Sequence, residues 1–208
     1  MKKTAVIIVA LATAGVASAA LYGDATGETI SADILDILSV EIQNDATDIM
    51  FTVNLVGDPI ATDWGKYMVG IDSVVGGDTV GNGWARPISM SSGMDYWIGS
   101  WVDSGGGDQT FDWDGAAWNQ VASGTPSTTT SSVMLTTSLA SLGLSVGDTF
   151  VFDVFTSGGG GTDGAIDALS DANQSIADWG DPYTSTSTLQ YTVIPEPATI
   201  GLLGVAGL

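Results

Sequence analysis

Residues 36–56, DILSVEIQNDATDIMFTVNLV, decide the fold. From Asp36 to Gln43, Leu38, Val40 and Ile42 fall on one side of an extended chain, with Ser39, Glu41 and Gln43 on the other. Asn44-Asp45-Ala46-Thr47 supplies turn-forming residues. From Asp48 to Val56 the alternation resumes, with Ile49, Phe51, Val53 and Leu55 opposite Met50, Thr52 and Asn54. Apolar residues at every second position on both sides of a polar turn predict a β-hairpin with one buried face.

The same period recurs along the chain. Further strands are predicted over Lys66–Ser73, Met94–Trp101, Thr110–Trp113, Ala116–Val121, Ser132–Thr136, Thr149–Thr156 and Leu189–Val193. Asp114-Gly115 reads as a two-residue hairpin turn between the third and fourth of these. Ser138–Leu144 is expected to form one or two helical turns, and Ala165–Ala177 a short helix or an ordered loop. About nine short strands separated by Gly- and Asp-rich turns predict an all-β domain, an antiparallel β-sandwich of jelly-roll or immunoglobulin-like type.

Composition excludes much chemistry. The 208 residues contain no His and no Cys, 24 acidic residues against 4 basic ones, and 28 Gly. Without Cys there is no disulfide, thiolate nucleophile or Cys-ligated metal. Without His there is no Ser-His-Asp triad or H-E-x-x-H zinc site. A formal charge of −20 argues against nucleic acid, whose affinity comes from Lys and Arg on phosphates. The glycine clusters Gly105–Gly107 and Gly158–Gly161 read as flexible turns, since a phosphate loop needs an adjoining Gly-Lys-Ser/Thr. The Ser/Thr-rich run 123–132 reads as a polar loop.

The two ends read as addresses. Residues 1–19 carry Lys2 and Lys3, an apolar run from Ala5 to Val16, and Ala17-Ser18-Ala19, the three parts of a secretory signal peptide. Its removal leaves Lys66 and Arg86 as the basic residues facing all 24 acidic ones. A β-sandwich domain is then expected over 20–193 and a separate tail over 194–208.

In that tail Pro195-Glu196-Pro197 is followed by Ala-Thr and a Leu/Gly-rich apolar run. This resembles the PEP-CTERM sorting signal. The resemblance implies that an exosortase-type membrane enzyme recognises Pro195, Glu196 and Pro197, that the tail is processed, and that both termini contact the membrane transiently. It also implies a place at the cell surface or in the extracellular matrix of a Gram-negative bacterium. Such tails normally reach a membrane-spanning length and end in an Arg-rich cluster. Here 11 residues follow Pro197, none of them basic, so the signal reads as truncated.

More loosely, the opening hairpin, Trp64-Gly65-Lys66-Tyr67 leading to Gly70-Ile71-Asp72, and Asp95-Tyr96 running into Trp97 and Trp101 resemble family 9 carbohydrate-binding and DOMON-like β-sandwiches. Haem-binding DOMON domains use Met or His ligands, and no His is present here.

Two constellations are candidates for binding. Trp84, Trp97, Trp101, Trp113 and Trp118 crowd one stretch of the chain. If Tyr96 and Ile98 face the core, alternation turns Trp97 and Trp101 outward as a platform for sugar rings, with Trp84 and Trp113 beside it. The competing reading places these indoles in the core or over its open edge. The acidic residues are Asp except for Glu28, Glu41 and Glu196. Asp72 and Asp78 around Gly76-Gly77, Asp103 and Asp108 around Gly105–Gly107, and Asp163 with Asp167 are candidate Ca2+ ligands. The competing reading is that Asp forms turns and solubilises the surface.

No carboxylate pair stands out as a hydrolase site, and Arg86 is expected to pair with an Asp. The expected function is therefore that of an exported, non-catalytic surface or matrix component associated with exopolysaccharide. The alternative is a carbohydrate-binding module with a Trp platform and a Ca2+ requirement.

Overall fold

The computed structural model describes residues 19–27 and 33–195. The expected signal segment up to Ser18, and Glu196, Pro197 and the apolar run after them, lie outside the described residues.

Among the described residues there is no α-helix. The strands are, in order, β1 Ala20–Gly23, β2 Ile37–Asn44, β3 Asp48–Leu55, β4 Lys66–Asp72, β5 Ile88–Met90, β6 Tyr96–Trp101 and β7 Gly107–Trp113. They continue with β8 Trp118–Gly124, β9 Ser127–Thr128, β10 Ser132–Ser138, β11 Thr149–Ser157, β12 Asp167–Ala168, β13 Tyr183–Ser185 and β14 Leu189–Thr192. One antiparallel sheet has the order β1-β2-β3-β10-β9. The other runs β12-β11-β4-β6-β7-β8, with β14 also paired to β11. The chain passes between these sheets at β3→β4, β8→β9 and β10→β11. Because β3 pairs β10 and β4 pairs β11 antiparallel, the β3→β4 and β10→β11 passages lie at opposite ends of the sandwich. The domain is an antiparallel β-sandwich.

Each of the nine predicted segments forms a strand, with local corrections. A bulge between Ile37 and Ser39 sets Ile37 opposite Leu55 and Ser39 opposite Asn54. The extra residue shifts the phase, so Ile37 is buried and Leu38, expected inside, is exposed. The Asp114-Gly115 turn belongs to a four-residue loop, since Trp113 is opposite Trp118. Asp114 Oδ1 closes it by accepting the N–H groups of Ala116 and Ala117. Residues 140–142 make one 3-10 turn ended by Gly143. The stretch 165–177 is an ordered loop carrying β12.

The main core lies between the sheets. Val40, Ile42, Phe51 and Val53 from one side meet Tyr67, Val69, Ile71, Ile98, Phe152 and Val154 from the other. Thr110 and Thr137 join the sheets across this core by a hydroxyl hydrogen bond of 2.9 Å. A second cluster covers the opposite face of the larger sheet. There Met68, Trp97 and Phe155 are roofed by Ile88, Met90, Met94 and Ala165. The roof is residues 73–95 together with β13, which pairs in parallel with β5. Asp95 closes the base of this excursion by accepting the N–H groups of Ser73 and Val74 at 2.7 and 2.9 Å. Asp78 and Met94 pair through both backbone bonds, each 2.9 Å.

The described ends converge on one corner. Ala20 lies opposite Ile42, two residues from Asn44, whose side chain bonds the backbone of Ile194. Tyr22 adds a hydrogen bond of 2.6 Å to the carbonyl of Gln190, linking the first strand to the last. This corner lies near the start of β11, where Thr149 pairs with Thr192. The far end of β11 is Ser157, opposite Lys66. Its nine residues separate the two poles by about 27 Å at ~3.4 Å per residue.

Candidate functional site

The tryptophans fall into three groups. Tyr96 and Ile98 do face the inter-sheet core, so Trp97 and Trp101 point to the opposite face, as alternation requires. That face is not open. Trp97 is fully buried, with its ring stacked on Phe155 at 6.1 Å, and its indole N–H meets no acceptor among the described residues. An outward platform containing Trp97 is therefore replaced by an inner aromatic layer. Alternation fixes the direction of a side chain, but the 73–95 excursion decides what covers it.

Trp84 completes this layer. It lies 6.5 Å from Trp97 and 6.2 Å from Trp101, and its Nε1 donates to Gln109 at 2.9 Å. Its ring rests against Gly99, where a Cβ would overlap it. Asn82 shapes the turn that delivers Trp84, donating to the carbonyls of Arg86 and Ile88 and accepting the Trp84 N–H. Arg86 sits 5.5 Å over the Trp84 ring and donates to Ser157 Oγ and the Asp163 carbonyl. It thus uses neutral oxygens and a ring face where a carboxylate partner was expected. Burial lowers its guanidinium, and the nearby Asp163 charge offsets part of that effect.

Trp113 and Trp118 form a half-buried cross-strand pair, 5.6 Å apart, at the β7–β8 turn. Trp118 Nε1 donates to Asp78 Oδ2 at 2.9 Å and so fastens the roof to the hairpin.

The aspartates considered for Ca2+ each have local partners. Asp72 is bonded to Ser92, and burial raises its carboxyl despite that bond, with the Asp95 charge adding to the rise. At Asp78 burial also acts upward, but hydrogen bonds from Val80, Trp118 and Gly81 outweigh it and hold the carboxyl low. Asp103 pairs with Lys66 Nζ at 2.9 Å. Asp108 is buried, which raises its carboxyl, and it is bonded to the Gly124 backbone. Asp167 accepts the Ile37 N–H at 2.7 Å, tying β12 to the start of β2. Asp163 accepts the Gly160 N–H at 2.8 Å. Among the described residues no three acidic side chains converge as a metal-binding group.

A site absent from the sequence reading lies at the pole opposite the chain ends. Trp64 and Trp179 meet edge to face with centroids 5.8 Å apart and planes at 71°. With Gly159 and Asp163 they line an open cleft of about 250 Å³. Trp179 is the one aromatic among the exposed large apolar side chains of the described residues, at 37%. Trp64 rests on Ile34, Leu35, Ile166 and Ile176. Lys66 Nζ holds its carbonyl at 3.1 Å while also bonding Asp103.

Trp179 stands in a turn closed by Asp181, whose Oδ2 accepts the N–H groups of Ala177 and Asp178 at 2.9 Å. Its own carbonyl accepts the Gly164 N–H at 2.7 Å. Within the glycine run read as a flexible turn, Gly158 and Gly160 are close-contact positions. A Cβ on Gly158 would strike the Trp179 ring, and one on Gly160 would strike Asp163. In the sequence, the hint is the spacing of Trp64, the Gly158–Gly161 run and Trp179-Gly180, which only the fold brings together.

Of the tail motif, Pro195 is described and exposed, directly after Ile194. Comparison with protein-family models, curated proteins and solved structures finds no match for the chain.

Proposed function

We propose that this protein is an exported, non-catalytic β-sandwich displayed at the cell surface or in the extracellular matrix, sorted through Pro195-Glu196-Pro197 by an exosortase-type enzyme. One observation carries this reading. The folded domain opens at Ala20, one residue past the expected leader cleavage point, and closes at Ile194, one residue before the motif, with both ends at the Asn44 corner. A domain whose two addresses leave from one corner can be exported by the first and held by the second without crossing its own surface. The acidic, Asp-rich exterior suits a hydrated polysaccharide matrix.

The test is replacement of Pro195 and Pro197 by Ala in a Gram-negative host that carries an exosortase-type enzyme, followed by cell fractionation and intact-mass measurement. The native chain is expected to start at Ala20, lose its apolar tail and reach the surface fraction. The double variant should keep its tail and stay in the membrane fraction. Identical masses and identical fractions for the two proteins would refute the reading.

A further inference from the structure

We propose that the Trp64–Trp179 cleft is a stacking subsite for a neutral pyranose ring of an extracellular polysaccharide. The inference deepens the matrix association proposed above by naming a site and a ligand class.

The cleft joins an apolar ring face to hydrogen-bond acceptors. Edge-to-face packing sets one indole against the other, and both rings line the open cleft, with Trp179 partly exposed in it. That is a platform for a flat apolar surface, whereas a quaternary ammonium group needs several ring faces turned to one point. The C–H face of a pyranose has this flatness, and its equatorial hydroxyls need acceptors at the rim. Asp163 lines the cleft, Asp63 and Asp178 adjoin the two tryptophans in sequence, and Asp181 follows Trp179 by two residues. An ionised carboxylate accepts at about four lone-pair positions, so the Gly160 N–H leaves Asp163 able to take sugar hydroxyls.

The same carboxylates select against acidic sugars. The nearest cations are already engaged, Lys66 with Asp103 and Arg86 in the buried layer with Ser157. Position agrees with the chemistry. The cleft lies at the pole away from the chain ends, so a domain held by its tail points it into the surroundings. It is also built before any ligand arrives. Capped turns, the Lys66 bonds and glycine contacts hold both indoles, which reduces the ordering cost of binding.

The test is affinity electrophoresis of the purified full-length chain in gels containing hydroxyethylcellulose, xyloglucan, dextran or polygalacturonate. Retardation is expected in at least one neutral gel and not in polygalacturonate. Trp179→Ala should weaken it about tenfold or more, as loss of a whole indole platform implies. Trp179→Phe should restore part of it, and Trp113→Ala, at the opposite pole, should leave it unchanged. Thermal melts establish that each variant is folded.

The proposal fails if no neutral gel retards the protein, if polygalacturonate retards it equally, or if Trp179→Ala migrates like the native chain. It also fails if tetramethylammonium, and no polysaccharide, perturbs the tryptophan fluorescence of the native chain but not that of Trp179→Ala. Because purified protein is used, these failures leave the sorting experiment unaffected, and failure of sorting leaves this binding result standing.

Discussion

The side-chain amide of Asn44 acts as a peptide group for Ile194, accepting its N–H at 3.0 Å and donating to its carbonyl at 2.9 Å. The same oxygen accepts the Tyr191 hydroxyl at 2.7 Å. Asn44 is buried because it occupies the last inward position of β2, and the final residues of the domain meet that need. Asn44→Ala should cost about 1–3 kcal/mol, since it strands a buried hydroxyl and two backbone groups. Denaturant unfolding measures the loss. Amide exchange at Ile194 should accelerate more than exchange within β3, and unchanged exchange there would contradict the clasp.

The bulge in β2 separates two adjacent apolar residues. Ile37→Ala should cost about 2–4 kcal/mol and Leu38→Ala within about 0.5 kcal/mol, because only Ile37 lies in the core. Equal losses in unfolding experiments would place the bulge elsewhere.

Asp153 makes stability depend on pH. Burial pushes its carboxyl up to about 6, against the hydrogen bonds from Ser170 and Val154 that favour its charge. The unfolded value is about 3.9, so the folded state binds the proton more tightly. This group's contribution is fully present below pH about 4 and is lost as pH rises to about 6, on the order of 2–3 kcal/mol. Asp153→Asn should flatten that part of the pH profile and raise stability at neutral pH. An unchanged slope in melts across this window would remove Asp153 as its source.

Contact between Trp84 and Gly99 holds the inner aromatic layer together. Gly99→Ala should displace the indole from Gln109 and Arg86 and cost about 1–3 kcal/mol through overpacking. Trp97→Phe should be milder, because it removes an indole N–H that meets no acceptor among the described residues. Tryptophan fluorescence and melting temperature report both, and the reverse order would contradict this packing.

The strands were legible because alternation is local. Ile49, Phe51, Val53 and Leu55 announce β3 without help from the rest of the chain, and Thr149–Thr156 announces most of β11. The short strands β5, β12 and β13 were not legible, since three or fewer residues carry no period and form only where another segment pairs with them. The cover over Trp97 was not legible for a related reason. The pattern around Trp97 gave its direction correctly, but cover from residues 73–95 is a long-range event. Trp64 and Trp179 are far apart in the chain, and only the joining of β4 to β11 brings them together. Leu38 shows the smallest version of the problem, in which a single unpaired residue reverses which neighbour is buried.

Orientation on the cell tests the account most directly. The chain has no Cys, so one introduced thiol reports a single place. Thr162→Cys marks the Trp64–Trp179 pole, and Val146→Cys marks the pole of the chain ends, both at exposed positions. Intact cells are treated with a bulky, membrane-impermeant maleimide, and labelling is compared with that after lysis. The account predicts full labelling at Thr162→Cys and protection at Val146→Cys until lysis. Protection at Thr162→Cys with free labelling at Val146→Cys, or no labelling of either on intact cells, would contradict it.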